Sequence, residues 1–206
     1  MARVGIIDYG MGNLVSVAGA VEYLGHTPKI TYDRGELNRT DLLILPGVGA
    51  FPDAMRNLRQ RGLVEALEGL VRQRGTPLLG ICLGAQLLAR ESEEFGRHPG
   101  LGWIDATVSR LRPADAAIRV PHVGWNGIAK RREGTLLKGI PDDALFYYVH
   151  SYCIADAPEQ AVLGDCDYGN RFAAVLESGN VFATQFHPEK SQQHGLAMLR
   201  NFLAVH

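Results

Sequence analysis

Cysteine is scarce: three in 206 residues, at positions 82, 153 and 166. An odd, widely spaced set does not make the disulfide framework of a small secreted domain, and it suits a reducing cytosol. Neither sign of charge is in excess, with 21 Lys+Arg facing 22 Asp+Glu for a net charge of −1. That balance argues against a nucleic-acid partner, which usually requires a basic surface. Long apolar runs are missing as well. The longest uncharged stretch, residues 75–89, contains Pro77 and three glycines, whereas a bilayer span takes about 18–20 apolar residues. No basic segment followed by an apolar one opens the chain, so no signal peptide is expected, and the chain reads as cytoplasmic with no membrane partner. Internal repeats and Pro/Ser-rich linkers are absent, so residues 1–206 read as one domain. A chain of this length buries about 70% of its unfolded surface and needs no metal or disulfide to fold.

Glycine, by contrast, is abundant: 24 residues, roughly 12% where about 7% is average. With ten prolines and no glycine period, neither collagen nor a low-complexity linker fits. The glycines fall at the ends of short apolar runs. Residues 3–9, 29–32, 41–45 and 77–81 read as strands, and helix-period segments follow at about 13–25, 52–74 and 83–95. Continuously apolar strands alternating with helices imply a parallel sheet covered on both faces. From residue 102 onward the segments are shorter and richer in turns (107–111, 144–154, 171–177 and 181–186), with Glu177-Ser178-Gly179-Asn180 as a hairpin turn. A last helix is expected over about 191–204. The fold class is therefore α/β, a single-domain, three-layer open mixed sheet with a parallel core and antiparallel additions, flanked by helices.

In such sheets, sites form at the carboxyl ends of the strands. Gly10-Met11-Gly12 resembles the start of a dinucleotide fingerprint, and Asp33 lies about 20 residues on, but Val15 occupies the third glycine position, so no cofactor is expected. Gly80-Ile81-Cys82-Leu83-Gly84 is more specific. It has the form of a nucleophile elbow with sulfur in place of oxygen, between an apolar strand and a helix. A helix starting at Leu83 favours the Cys82 thiolate, and the Leu83 amide is placed to stabilise an oxyanion. The competing role is that of a buried structural thiol, which suits Cys153 and Cys166.

A thiolate nucleophile needs a base and a group that orients the base. His187 follows the strand 181–186, and Pro188 is expected to hold the next residues extended, which would place His187 and Glu189 on one side. His122, His150 and Cys153 compete as zinc ligands, but no C-x-x-C or H-E-x-x-H spacing occurs and no metal is expected.

Gly80-Ile-Cys-Leu-Gly-Ala-Gln86, Pro46-Gly-Val-Gly49 and Phe186-His-Pro-Glu189 resemble, in order, the three diagnostic blocks of the class I (triad) glutamine amidotransferases. The resemblance implies L-glutamine as substrate. It implies Cys82, His187 and Glu189 as the catalytic triad, and Val48 and Leu83 as oxyanion donors. Gly47, Gly49, Gln86, Glu94, Ser151 and Tyr152 are implied around the substrate. Within that family, Ile7-Asp-Tyr-Gly-Met-Gly-Asn13, Pro121-His-Val-Gly-Trp-Asn126 and Tyr147-Tyr-Val-His-Ser-Tyr152 are similar to glutaminase subunits that pass ammonia to a (β/α)8-barrel cyclase in histidine biosynthesis. A heterodimer is implied, with His122, Trp125, Asn126 and Tyr147 facing the partner.

Overall fold

A computed structural model of the chain describes residues 1–205. The first half alternates strand and helix: β1 (Arg3–Ile7), α1 (Leu14–Tyr23), β2 (Thr27–Thr31), the short α2 (Arg34–Leu37), β3 (Leu42–Gly47), α3 (Phe51–Gln60), α4 (Leu63–Leu67), β4 (Leu78–Cys82) and α5 (Leu83–Leu87). Strands then dominate: β5 (Ala89–Ser92), β6 (His98–Pro99), β7 (Ile104–Arg110), β8 (His122–Gly127), β9 (Ala129–Lys130), β10 (Leu145–His150), β11 (Tyr152–Ala155), β12 (Val162–Asp167), β13 (Arg171–Ser178) and β14 (Val181–Thr184). Helix α6 (Gln192–Leu203) closes the order.

The main sheet runs β2-β1-β3-β4-β14-β13-β11-β7-β5-β6, with β12 and β9 attached beside β13. Pairing is parallel from β2 through β14 and antiparallel across β14–β13–β11–β7. Every residue of β3, β4 and β14 is buried, as strands covered on both faces require. Alternate side chains feed two cores. Leu42, Ile44, Leu79 and Ile81 pack with Val17 and Val21 of α1 and with Met198, Leu199 and Phe202 of α6. Leu43, Leu45 and Leu78 pack with Phe51, Met55 and Leu58 of α3 and Leu67 of α4. The α/β class, the parallel core and the later antiparallel strands are as expected from the sequence. Both rims of the sheet carry a proline, Pro28 in β2 and Pro99 in β6.

Three expected elements differ. The helix expected over 52–74 is broken after Gln60, where Gly62 takes the left-handed conformation at φ +63°, which glycine enters without steric cost. The chain then resumes as α4 and finishes in a π-helical stretch, Glu68–Gln73. The helix expected over 83–95 stops at Leu87, and Ala89–Ser92 instead pairs with β7 and β6. Pairing partners distant in sequence override the local helical pattern there. The apolar segment 144–154 is divided at Ser151: β10 forms a separate two-stranded antiparallel ribbon with β8, while β11 joins the main sheet. No helix among the described residues is long and apolar enough to cross a membrane.

Candidate active site

β4 delivers Cys82 to the carboxyl end of the parallel strands, with a backbone φ of +54° and ψ of −111°. Such a conformation costs a residue with a β-carbon about 1–3 kcal/mol, and it is the strained strand-to-helix turn that exposes a nucleophile. The turn closes because Gly84 lies directly against the Leu45 carbonyl oxygen of β3, where a β-carbon would overlap it. The glycine flanks thus provide close approach, and the left-handed residue is the cysteine itself. The helix that follows has only five residues, so its dipole contributes less than a long helix would.

In β3, Gly47 is the register partner of Cys82, which brings the Pro46–Gly49 turn alongside the thiol. Val48, Gly49, Cys82, Leu83, Gln86, Glu94, Val149, His150, Ser151 and Tyr152 line one pocket of about 250 Å³. That is small beside the roughly 300–1,000 Å³ of drug-sized ligand sites. The turn after β1 braces this wall: the Tyr9 hydroxyl packs on Gly47, and Met11 Cε lies 2.7 Å from where a Gly49 β-carbon would stand. Gly10-Met11-Gly12 therefore has a packing role.

His187 and Glu189 meet as expected, with Nδ1 donating to Glu189 Oε1 at 2.8 Å, both side chains buried. The local geometry is not the extended one expected. Pro188–Lys190 is a turn of 3-10 helix with the proline at its first position, where a missing N–H costs nothing. The His187 amide donates to the Tyr147 carbonyl at 3.0 Å. Ser191 Oγ donates to the His187 carbonyl at 2.6 Å and accepts from the Tyr147 amide at 2.9 Å. β10 thus holds the His187 loop through main-chain atoms of Tyr147. Burial opposes a charge on His187, but contact with Cys82 and then with Glu189 overrides it and raises its pKa above the ordinary value. With Nδ1 committed to Glu189, Nε2 has no hydrogen-bond partner among the described residues.

Around the pocket, Glu94 is buried and accepts from the Phe51 amide at 2.8 Å, capping α3. Burial raises its carboxyl above the usual range, with the Phe51 N–H opposing. Gln86 Nε2 donates to the Tyr152 carbonyl at 2.7 Å and to Gln185 Oε1 at 3.2 Å, which leaves its own oxygen uncommitted. Gln185 was not singled out from the sequence. It is fully buried, and its Nε2 donates to Cys82 Sγ at 3.8 Å. Its position immediately before the Phe186–Glu189 block was the one available signal.

The β8–β10 ribbon has two unlike faces. Val123, Trp125, Leu145 and Val149 are exposed on one, where Trp125 meets Tyr147 edge-on at 5.9 Å. His122, expected on that face, lies on the other. It is buried and stacked between Tyr148 at 4.7 Å and Tyr168 at 3.9 Å, with Nδ1 3.1 Å from His150 Nε2. Strand alternation separates it from Trp125 and Val123. Asn126 is half-buried and donates to the Asp167 carbonyl at 3.3 Å. No group of three or more His, Cys, Asp or Glu side chains able to hold a metal occurs among the described residues.

Residues 6–205 match the family described as glutamine amidotransferase class-I. The imidazole glycerol phosphate synthase subunit HisH of Moorella thermoacetica is 51% identical over 98% of this chain and 94% of its own. A second such subunit, HisH 2 of Nitrobacter winogradskyi, is 47% identical over 98% of both chains. Among solved structures, a glutamine amidotransferase superposes with a TM-score of 0.75 at 23% identity, covering 97% of this chain and 96% of that one. At that identity the likeness concerns the fold.

Proposed function

The chain belongs to the class-I glutamine amidotransferase family, and on that footing we propose that it is the glutamine-hydrolysing subunit of an imidazole glycerol phosphate synthase. The observation that carries the reading is Cys82 on a strained elbow, in the wall of a small pocket and in contact with a buried His187–Glu189 pair. The Cys82 thiolate attacks the side-chain amide carbon of glutamine, and the negative charge on the resulting tetrahedral oxygen falls to the amides of Leu83 and Val48. One such donor is worth about 3–4 kcal/mol of barrier. His187 Nε2 gives its proton to the departing amine, so ammonia leaves and a thioester remains. His187 then takes a proton from water, whose hydroxide attacks the thioester. Glutamate departs and the thiolate–imidazolium pair is restored. Gly47 and Gly49 shape the wall behind the reacting amide. The Gln86 oxygen and Glu94 hold the substrate ammonium, and the Ser151–Tyr152 backbone receives its carboxylate.

Ammonia released beside Val149 emerges next to the exposed ribbon face. A (β/α)8-barrel cyclase docked there, on Trp125, Tyr147 and Val123, would receive it and form imidazole glycerol phosphate. Cys82→Ala assayed with that cyclase is expected to lose glutamine-dependent synthesis and keep ammonia-dependent synthesis. Retained glutamine-dependent turnover would overturn this mechanism.

A further inference from the structure

We propose that Gln185 is a positioning residue for the nucleophile, obliged by a one-way hydrogen-bond chain to present an N–H to the Cys82 sulfur. The inference rests on the glutaminase reading for its role in turnover, while the chain itself belongs to the free protein. A carbonyl oxygen can only accept, and the Tyr152 carbonyl has two donors. On one side is Gln86 Nε2 at 2.7 Å and on the other His150 Nδ1 at 2.9 Å.

Each contact fixes the next. Because Gln86 must turn its NH₂ toward Tyr152, its second N–H meets Gln185 at 3.2 Å, and only the Gln185 oxygen can accept it. Gln185 Nε2 is thereby aimed at Cys82 Sγ, 3.8 Å away, and the sulfur is the acceptor. On the other side, His150 carries its proton on Nδ1, so its bare Nε2 accepts from His122 Nδ1–H at 3.1 Å. Gln185, Gln86, His150 and His122 are all buried, so water has limited access to these contacts. A buried amide oriented this way favours the anionic sulfur, because hydrogen bonds to the charged form stabilise it, and it does so against the Val149 carbonyl, 3.9 Å from the sulfur, which accepts from the thiol.

The test is alkylation of Cys82 by iodoacetamide, in which the thiolate sulfur displaces iodide from the methylene carbon and neither glutamine nor an oxyanion hole takes part. Burial, above all, pushes the Cys153 and Cys166 thiols up to about 12, so Cys82 reports alone, with Cys82→Ala as the blank. The titratable groups facing the sulfur are His187 and Tyr9, with Glu189 bonded to His187 and His150 in the same pocket wall as Cys82, and the variants leave all four in place. Gln185→Glu still accepts from Gln86 but turns an oxygen on the sulfur. Its alkylation midpoint is expected to rise by about one pH unit, with rates below the midpoint about tenfold slower. Gln185→Met removes the donor to the sulfur, together with the acceptor for Gln86, without adding charge, so a smaller rise in the alkylation midpoint in the same direction is expected, with kcat for glutamine lowered. It decides the matter if the glutamate variant does not fold. A wild-type alkylation profile in a folded variant overturns the proposal. Failure of the wild-type complex to hydrolyse glutamine overturns the glutaminase reading instead, and the alkylation profile still judges the chain.

Discussion

At Glu189 a single carboxylate oxygen determines which nitrogen of His187 carries a proton, since an acceptor at 2.8 Å from Nδ1 requires the proton there. Glutamine at this position can rotate its NH₂ toward the ring and favour the other tautomer. Glu189→Gln is therefore expected to lower kcat about 10²–10⁴-fold with little change in KM for glutamine. A kcat within threefold of wild type would show that the carboxylate does not select the tautomer. The buried histidines also tie stability to pH, with opposite signs. Burial lowers His122 to about 4 and His150 to about 3, below the unfolded value near 6.5. Their stabilisation is complete above pH 6.5 and is lost as pH falls toward those values, because only the unfolded chain takes up the protons. His187, shifted upward, contributes fully below pH 6.5 and loses its contribution as pH rises through its folded value. Each of the two neutral histidines adds up to about 1.4 kcal/mol per pH unit to the acid-side slope. Urea unfolding of His150→Asn between pH 4.5 and 6 is expected to show that slope reduced by one such increment, and an unchanged slope would refute it.

Among the elements, the elbow depends on β3 and β4 lying close enough for Gly84 to touch the Leu45 carbonyl. Both sides of that contact are main chain in buried structure, so neither can move aside. Gly84→Ala is expected to cost about 3 kcal/mol of stability, read as a lower urea midpoint at constant m-value. A loss under about 1 kcal/mol would mean the elbow relaxes. This element was legible from the sequence because Gly80-Ile81-Cys82-Leu83-Gly84 carries its own punctuation, and the His187–Glu189 pair was legible for the same reason. What was not legible depends on distant partners. Residues 89–92 form a strand because β7 pairs with them, and Gln185 matters because Gln86, 99 residues away, faces it. His122 read as a surface residue because nothing in Pro121-His122-Val123 tells which face of a strand will be covered. The extended reading of residues 187–189 gave the correct pair for an incorrect reason, since a 3-10 turn brings the same side chains together.

Seen whole, the molecule joins its chemistry and its exposed apolar surface through one ribbon. Val149 lines the pocket beside Cys82 and is also partly exposed next to Val123, and Trp125 with Tyr147 forms the aromatic centre of that face. Central aromatic anchors typically contribute 2 kcal/mol or more to binding. Trp125→Ala is accordingly expected to weaken the proposed complex with a cyclase about 30-fold or more, measured by calorimetric titration. An unchanged dissociation constant would place the interface elsewhere. The prolines at the two rims of the long sheet bear on the same question. Each removes a main-chain donor from an edge strand, so neither rim offers an unbroken template to which another strand could add. Fibrous growth is thereby hindered at the β2 and β6 ends of the long sheet, which leaves the two-residue β9 as its remaining edge.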